Sequence, residues 1–191
     1  MKTLKFFTIL LMAGMLIASC EKEDEGTPRQ ITKSYTYNQN LRGSEGVKGE
    51  LSLSNLILAD IIGTDPAKNL KNAELQLADS YLEISGLNQI ESPDTVAVVL
   101  EDFTIKVGAR PGVNLGDCST DPQEINEFAP DVQLSTNKII NLIQNVFTDV
   151  TTGSKTTMIT VSFTPNVGIT SSDNVQLKIA FGGTYYYVEF E

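Results

Sequence analysis

Residues 175–190 read VQLKIAFGGTYYYVEF, and this stretch is the most informative one about the fold. On both sides of Gly182 and Gly183, apolar or aromatic residues recur at every second position, which is the period of a β-strand with one buried face. Two glycines between such runs are typical of a tight hairpin turn. We therefore predict strands at residues 175–181 and 185–190, joined by a turn at Gly182 and Gly183.

The same alternation predicts that much of the remaining chain is strand. Residues 73–77 and 82–84 keep a period of two, but their apolar positions change parity, which predicts a bulge at Ala78, Asp79 and Ser80. Residues 108–132 carry several Gly and Pro with little periodicity, so we expect irregular surface structure there. The other predicted strands are residues 31–37, 51–53, 96–100, 103–107 and 156–163.

One long helix is predicted between Ser135 or Thr136 and Gly153. Its apolar residues recur at helical spacing and form one broad face: Ile139, Ile140, Leu142, Ile143, Val146, Phe147 and Val150. A short helix is expected at residues 56–62, followed by a helical turn capped by Asp65 and Pro66. These elements predict a mainly β fold, an antiparallel β-sandwich or curled sheet with one packed α-helix. The alternative is an α+β fold with helices over a curved sheet.

Composition excludes several classes of function. The 191 residues suffice for one domain, and the formal net charge of −10 argues against nucleic acid as a partner, because phosphate binding needs clustered Lys and Arg. The chain has no histidine, which removes the usual near-neutral general base and every Ser-His-Asp or Cys-His arrangement. We therefore expect a non-enzymatic protein.

The first 20 residues carry the clearest targeting signal. Lys2 and Lys5 precede an apolar run at residues 6–17 that is too short for a comfortable membrane span, and the run leads into LIASC, which ends at Cys20. This stretch resembles the bacterial lipobox, with Leu16, small Ala18 and Ser19, and Cys20 in the matching positions. The resemblance implies cleavage before Cys20, a diacylglyceryl group on its sulfur and acylation of the new amino terminus. Residues 1–19 are then the signal peptide, and the lipid attaches the protein to a membrane.

An ordinary cleavable signal peptide or an uncleaved anchor helix is the alternative for this segment. Residues 20–30 contain the acidic stretch EKEDE and then Gly26 and Pro28, which indicates a flexible tether before a domain at residues 31–191. Acidic residues directly after Cys20 also resemble the export signal of Bacteroidetes-type surface lipoproteins. That resemblance implies an outer-membrane protein facing the cell exterior. A spacer of arbitrary charge is the other interpretation.

Tyrosines supply one candidate binding site. Tyr185 and Tyr187 share a face of the last predicted strand, and Tyr35 and Tyr37 share a face of the first. If these rings lie together on the surface, they form a platform on which sugar rings stack; the alternative is that they pack in the core with their hydroxyls at its rim.

Acidic residues supply a second candidate site, for Ca²⁺, because that ion takes six to eight oxygen ligands from flexible loops. The candidate ligands are Asp117, Asp121, Glu124, Glu127 and Asp131, although their spacing is not that of an EF-hand. A solvated acidic loop is the alternative, and no other cofactor is expected. Cys118 lies among these acids, without a histidine to act as base, so we expect a part-buried loop cysteine with no catalytic role.

Three classes of function follow from these observations. The first is a lipid-anchored surface module that binds a glycan or an envelope protein, or assists an outer-membrane complex. The second is a fimbria-like assembly subunit that pairs with its neighbour through the edge of strand 185–190. The third is a carrier in which the long helix covers an apolar cavity.

Overall fold

Three strands of 14 to 16 residues dominate the fold. The computed structural model describes residues 26–90, 96–121 and 128–190, so Cys20, Glu124, Glu127 and the predicted signal peptide lie outside the described residues. In chain order the elements are β1 (Thr27–Asn40), β2 (Gly49–Ser52), β3 (Leu56–Ile57), α1 (Leu58–Ile62), α2 (Thr64–Lys68), β4 (Leu70–Ser85), a 3₁₀ turn (Leu87–Gln89), β5 (Val99–Val107), β6 (Val113–Asn114), β7 (Cys118–Ser119), α3 (Asn137–Thr151), β8 (Thr156–Thr157), β9 (Ile159–Pro165) and β10 (Gln176–Glu189).

The first, fourth and last strands form an antiparallel sheet in the order β1-β10-β4, which we call the long sheet. The predicted hairpin at Gly182 and Gly183 is wrong, because β10 runs straight through both glycines. Gly182 pairs with Ser34 of β1 on one side and with Gln76 of β4 on the other. Since β10 is the central strand, the edge at residues 185–190 that was predicted to join a neighbouring subunit does not exist. The edges of the long sheet are β1 and β4.

Gly183 marks a close approach between β10 and α3. A Cβ atom there would lie 2.7 Å from Cε2 of Phe147 and 2.8 Å from the hydroxyl oxygen of Tyr185. A glycine inside a strand is typical of a position where another group approaches the backbone closely. Gly183 therefore makes room for the helix, and the glycine pair does not turn the chain.

The bulge predicted at Ala78, Asp79 and Ser80 is confirmed. Tyr81 pairs with Ala180 and Gln76 pairs with Gly182, so four residues of β4 face a single residue of β10. The Ser80 hydroxyl donates to the carbonyl of Gln76 at 2.9 Å, and Ser135 donates to the carbonyl of Ser80 at 3.0 Å. These bonds satisfy buried groups that the interrupted ladder leaves without partners.

The second sheet has the order β2-β9-β5-β6, with β7 also paired to β5. Strands β3 and β8 form a separate two-stranded ladder. Side chains of both main sheets and of α3 belong to one continuous buried core. The architecture is the predicted mainly β, antiparallel, sandwich-like fold, with few helices.

Helix α3 matches its prediction closely. Its N-cap is Thr136, and its buried residues are Ile139, Leu142, Ile143, Val146, Phe147 and Val150. Residues 56–57 are strand and the short helix starts at Leu58, two residues later than expected, while α2 forms at the predicted Asp65 and Pro66. Residues 27–30, which the sequence assigned to the tether, belong to β1. Among the described residues, no helix has the length and apolar character that crossing a membrane requires.

Candidate functional site

The surface of the long sheet that faces away from the core is polar. Along β1, odd-numbered Tyr37 is buried and Tyr35 half-buried, whereas the even-numbered positions from 28 to 40 are all exposed. Strand geometry places these positions on one face together with their cross-strand partners. We call this surface the polar face, and its members are Gln30, Thr32, Ser34, Thr36, Asn38 and Asn40 of β1, Gln176, Lys178, Thr184 and Tyr186 of β10, and Glu74, Gln76, Tyr81 and Glu83 of β4.

Hydroxyl and amide groups of neighbouring strands hydrogen-bond to one another across this face. The hydroxyls of Thr32 and Thr184 lie 3.1 Å apart, and Nε2 of Gln76 donates to the Thr184 hydroxyl at 2.9 Å. At the other end of the sheet, Nε2 of Gln176 donates to Oδ1 of Asn40 at 3.1 Å. Such groups both donate and accept, and the exposed ones on β1 remain available to a ligand.

Charged side chains of the polar face pair with neighbouring side chains. Nζ of Lys178 lies 2.8 Å from Oε1 of Glu83, a residue that is only 9% exposed. The Tyr186 hydroxyl donates to Oε2 of Glu74 at 3.4 Å. Partial desolvation, followed by the negative charge of Glu74, raises the pKa of the Tyr186 hydroxyl. The tyrosine therefore stays protonated at neutral pH and keeps a donor on this face.

The four tyrosines predicted as a stacking platform do not share an exposed surface. Tyr185 is fully buried and Tyr37 is 3% exposed, so neither ring is accessible to a sugar. Tyr35 contacts Phe181, with ring centroids 6.0 Å apart, and Tyr187 lies half-buried at the end of β10. Tyr37 and Tyr185 instead pack in the core, which was the alternative interpretation.

The half-exposed aromatic rings of the polar face are those of Tyr81 and Tyr186, which the sequence analysis did not single out. Tyr186 alternates with Tyr185 and Tyr187 along the last strand. That same alternation could have found it, since burying the odd positions turns the even ones outward. Alternation in the first half of β4 does not predict the orientation of Tyr81, because the bulge changes the parity of the strand just before it.

The acidic residues predicted as calcium ligands have local structural partners where the structure describes them. Oδ1 of Asp117 accepts from the backbone N–H of Asp102 at 2.7 Å. Oδ2 of Asp131 accepts from Nδ2 of Asn88 at 2.6 Å, and the N–H of Asp121 donates to the Ser119 hydroxyl at 3.0 Å. Within residues 26–90, 96–121 and 128–190, no three His, Cys, Asp or Glu side chains are grouped closely enough to hold a metal ion.

Cys118 is fully buried in β7, where it pairs with Leu100 of β5. The prediction of a part-buried loop position is therefore wrong, because pairing with β5 draws this segment into the second sheet. Comparison of the chain with protein-family models, with curated proteins and with solved structures finds no match in any of the three.

Proposed function

We propose that this protein is a lipid-anchored, non-enzymatic cell-surface module whose polar face binds a glycan. The lipobox resemblance at Cys20 supports the anchor, and the acidic residues that follow it support an outer-membrane location facing the cell exterior. The chain's lack of histidine supports a binding role over a catalytic one.

The observation that carries the glycan proposal is the composition of the exposed row on β1. Six successive outward positions, 30 to 40, hold only Gln, Thr, Ser and Asn, in a chain of which 20% is charged. Sugars present many hydroxyls, which pair with groups that both donate and accept. Tyr186 of β10 adds ring surface next to this row, and Tyr81 adds more on β4, one strand further away. An uncharged row of this kind suits a neutral oligosaccharide.

A charge in the middle of the row tests the site. Ser34→Glu places an anion opposite Gly182 on the polar face, while Ser52→Glu makes the same change on an exposed edge strand of the second sheet. We expect Ser34→Glu to weaken glycan binding about tenfold or more and Ser52→Glu to leave it unchanged. The measurement is a glycan array with the mature lipidated protein, followed by calorimetry with each bound glycan.

Two results would contradict the proposal. Either no glycan binds across the array, or Ser34→Glu and Ser52→Glu bind equally well. Capture of an envelope protein that Ser34→Glu abolishes would keep the polar face as the site but replace the glycan with a protein ligand.

Assembly with a second subunit is the other candidate function, and it is favoured by the outer edge of β1. Over 14 residues, that edge has no strand partner among the described residues. An open edge can add a strand from another chain, although Pro28 and Lys33 belong to the residue types that protect edges. Light scattering that finds a strict monomer at high protein concentration would exclude this function.

The third candidate, an apolar-ligand carrier, has less support. The ring of Phe147 lies 6.0 Å from that of Phe181 and 5.7 Å from that of Tyr185, so aromatic side chains fill the space between α3 and the long sheet. A cavity for a ligand would need that space.

A further inference from the structure

One end of the long sheet carries aromatic and apolar side chains that are open to solvent. Phe190 is 51% exposed, and its ring lies against the backbone of Gly26, the first described residue. Beside it, Tyr187 and Val188 border two open hollows of about 490 and 410 Å³. We call this surface the basal patch and define it as Pro28, Arg29, Lys71, Tyr187, Val188 and Phe190.

The basal patch lies close in sequence to Cys20, which limits its distance from a lipid on that residue. Gly26 follows Cys20 by six positions, and even a fully extended chain of that length spans only about 20 Å. If Cys20 carries the lipid, the patch is therefore held close to the bilayer surface. The other end of β1 lies about 45 Å from this end, since the strand has 14 residues.

The chemistry of the patch suits the headgroup region of a bilayer. Aromatic rings with a polar edge, and long cationic side chains, are the groups that prefer this region. Arg29 and Lys71 lie within the patch, and Lys68 is exposed nearby. Nε of Arg29 is 2.9 Å from Oε2 of Glu189, and Asp65 borders one of the hollows, so cationic and acidic side chains occur together at this end.

We propose that the basal patch rests on the phospholipid headgroups and holds the long sheet upright on the membrane. This inference rests on the lipid anchor of the proposed function but not on glycan binding. It gives the domain a fixed orientation, in which the polar face stands at a steep angle to the bilayer and the loops beyond Asn40 point away from it.

Because the chain has no tryptophan, a single introduced one reports its own depth. Phe190→Trp places the reporter in the basal patch, and Val47→Trp places it beyond the other end of β1, at a similarly exposed position of 56%. The lipidated mature protein is reconstituted into vesicles of phosphatidylcholine and phosphatidylethanolamine. A matched set contains phosphatidylcholine brominated near the headgroup end of one acyl chain, which quenches only nearby indole rings.

We expect the emission of Trp in the Phe190→Trp protein to fall by about half in brominated vesicles, because interfacial side chains lie about 5–10 Å below the headgroup boundary. The Val47→Trp protein should keep its emission. Lys71→Trp, at another exposed position of the patch, is the second reporter if Phe190→Trp lowers the melting temperature.

Equal quenching of the two reporters, or none for either patch position, would overturn the orientation. Failure of the protein to float with the vesicles would overturn the anchor on which it rests. Neither result depends on the calorimetry with glycans, so failure of the orientation and failure of glycan binding are distinguishable.

Discussion

Gly183 allows the long helix to lie directly on the central strand of the long sheet. The ring of Phe147 occupies the space where a side chain at position 183 would start. The neighbouring Gly182 differs, because a Cβ atom there would meet nothing closer than 3.4 Å. The two glycines are adjacent in sequence but have different reasons to be glycine.

Gly183→Ala is expected to destabilise the protein by about 1–3 kcal/mol, because the added methyl group forces Phe147 or Tyr185 out of position. Gly182→Ala is the matched control and should change stability little or raise it slightly, since alanine loses less backbone freedom on folding. Urea unfolding followed by circular dichroism measures both. Equal losses in the two variants would show that the contact with Phe147 does not limit position 183.

The hydroxyl of Tyr185 has no hydrogen-bond partner among the described residues, although the side chain is fully buried. Tyr37 is also buried, but its hydroxyl donates to the carbonyl of Ser54. A buried polar group without a partner costs free energy, whereas a paired one does not.

Tyr185→Phe should therefore leave the free energy of unfolding unchanged or raise it by about 1 kcal/mol, because it removes an unpaired buried hydroxyl. Tyr37→Phe should lower it by about 1 kcal/mol, because the carbonyl of Ser54 loses its donor. The comparison uses the same urea titrations. A loss of stability in Tyr185→Phe as large as in Tyr37→Phe would indicate an undetected partner for the Tyr185 hydroxyl.

Asp149, in the carboxyl-terminal half of α3, connects the helix to two neighbouring segments. Oδ1 of Asp149 lies 2.6 Å from Nη1 of Arg110, and its Oδ2 accepts from the Thr157 hydroxyl at 3.0 Å. Asp149 lies outside the apolar face of α3, where helical spacing alone would leave a side chain in solvent. Its side chain instead joins the helix to the turn after β5 and to β8, because those segments fold alongside it.

Asp149→Ala is expected to lower the free energy of unfolding by about 1–2 kcal/mol, because Arg110 and Thr157 both lose a partly buried acceptor. Asn141→Ala, at an exposed position of the same helix, should be neutral or slightly stabilising, because alanine favours helix. Thermal unfolding of the two variants checks the difference. Equal melting temperatures would argue that the Asp149 contacts add nothing to stability.

Elements with one strong periodic pattern were predictable, and elements shaped by their neighbours were not. The apolar face of α3 and the parity change at Ala78 follow from local spacing alone. The path of β10 does not, because the reason for Gly183 is the ring of Phe147, 36 positions earlier in the sequence. A glycine pair has the same local signature in a turn and under a packed helix.

The candidate site was less predictable than the fold for a related reason. The exposure of each tyrosine depends on which face of the long sheet α3 covers. Tertiary packing determines that face, and local sequence spacing does not. The sequence placed Tyr185 and Tyr187 on one face correctly, but it did not indicate that this face is the core. The polar row on β1 is visible in the sequence, but only its pairing with β10 shows that the row belongs to a larger polar face.

Stability should fall at alkaline pH, mainly through the buried tyrosines. Burial raises the pKa of Tyr185, and of Tyr37, to about 12, above the usual value near 10. The folded state therefore holds these protons more tightly than the unfolded state. This contribution is complete below pH 10 and is lost as the pH rises from about 10 to 12.

Urea unfolding at a series of pH values should show this decline, and the double variant Tyr37→Phe and Tyr185→Phe should flatten it. An unchanged pH dependence in the double variant would assign the decline to other groups.

The pairing of β1 with β10 affects how the protein must fold. Residues paired across this ladder are 136 to 162 positions apart, from Asn40 with Gln176 to Thr27 with Glu189, so the first strand has no neighbour in the long sheet until the last one is available. Such distant contacts give a high contact order and slow folding. If the proposed signal peptide exports the chain unfolded, the central sheet cannot close until the last strand has also crossed the membrane.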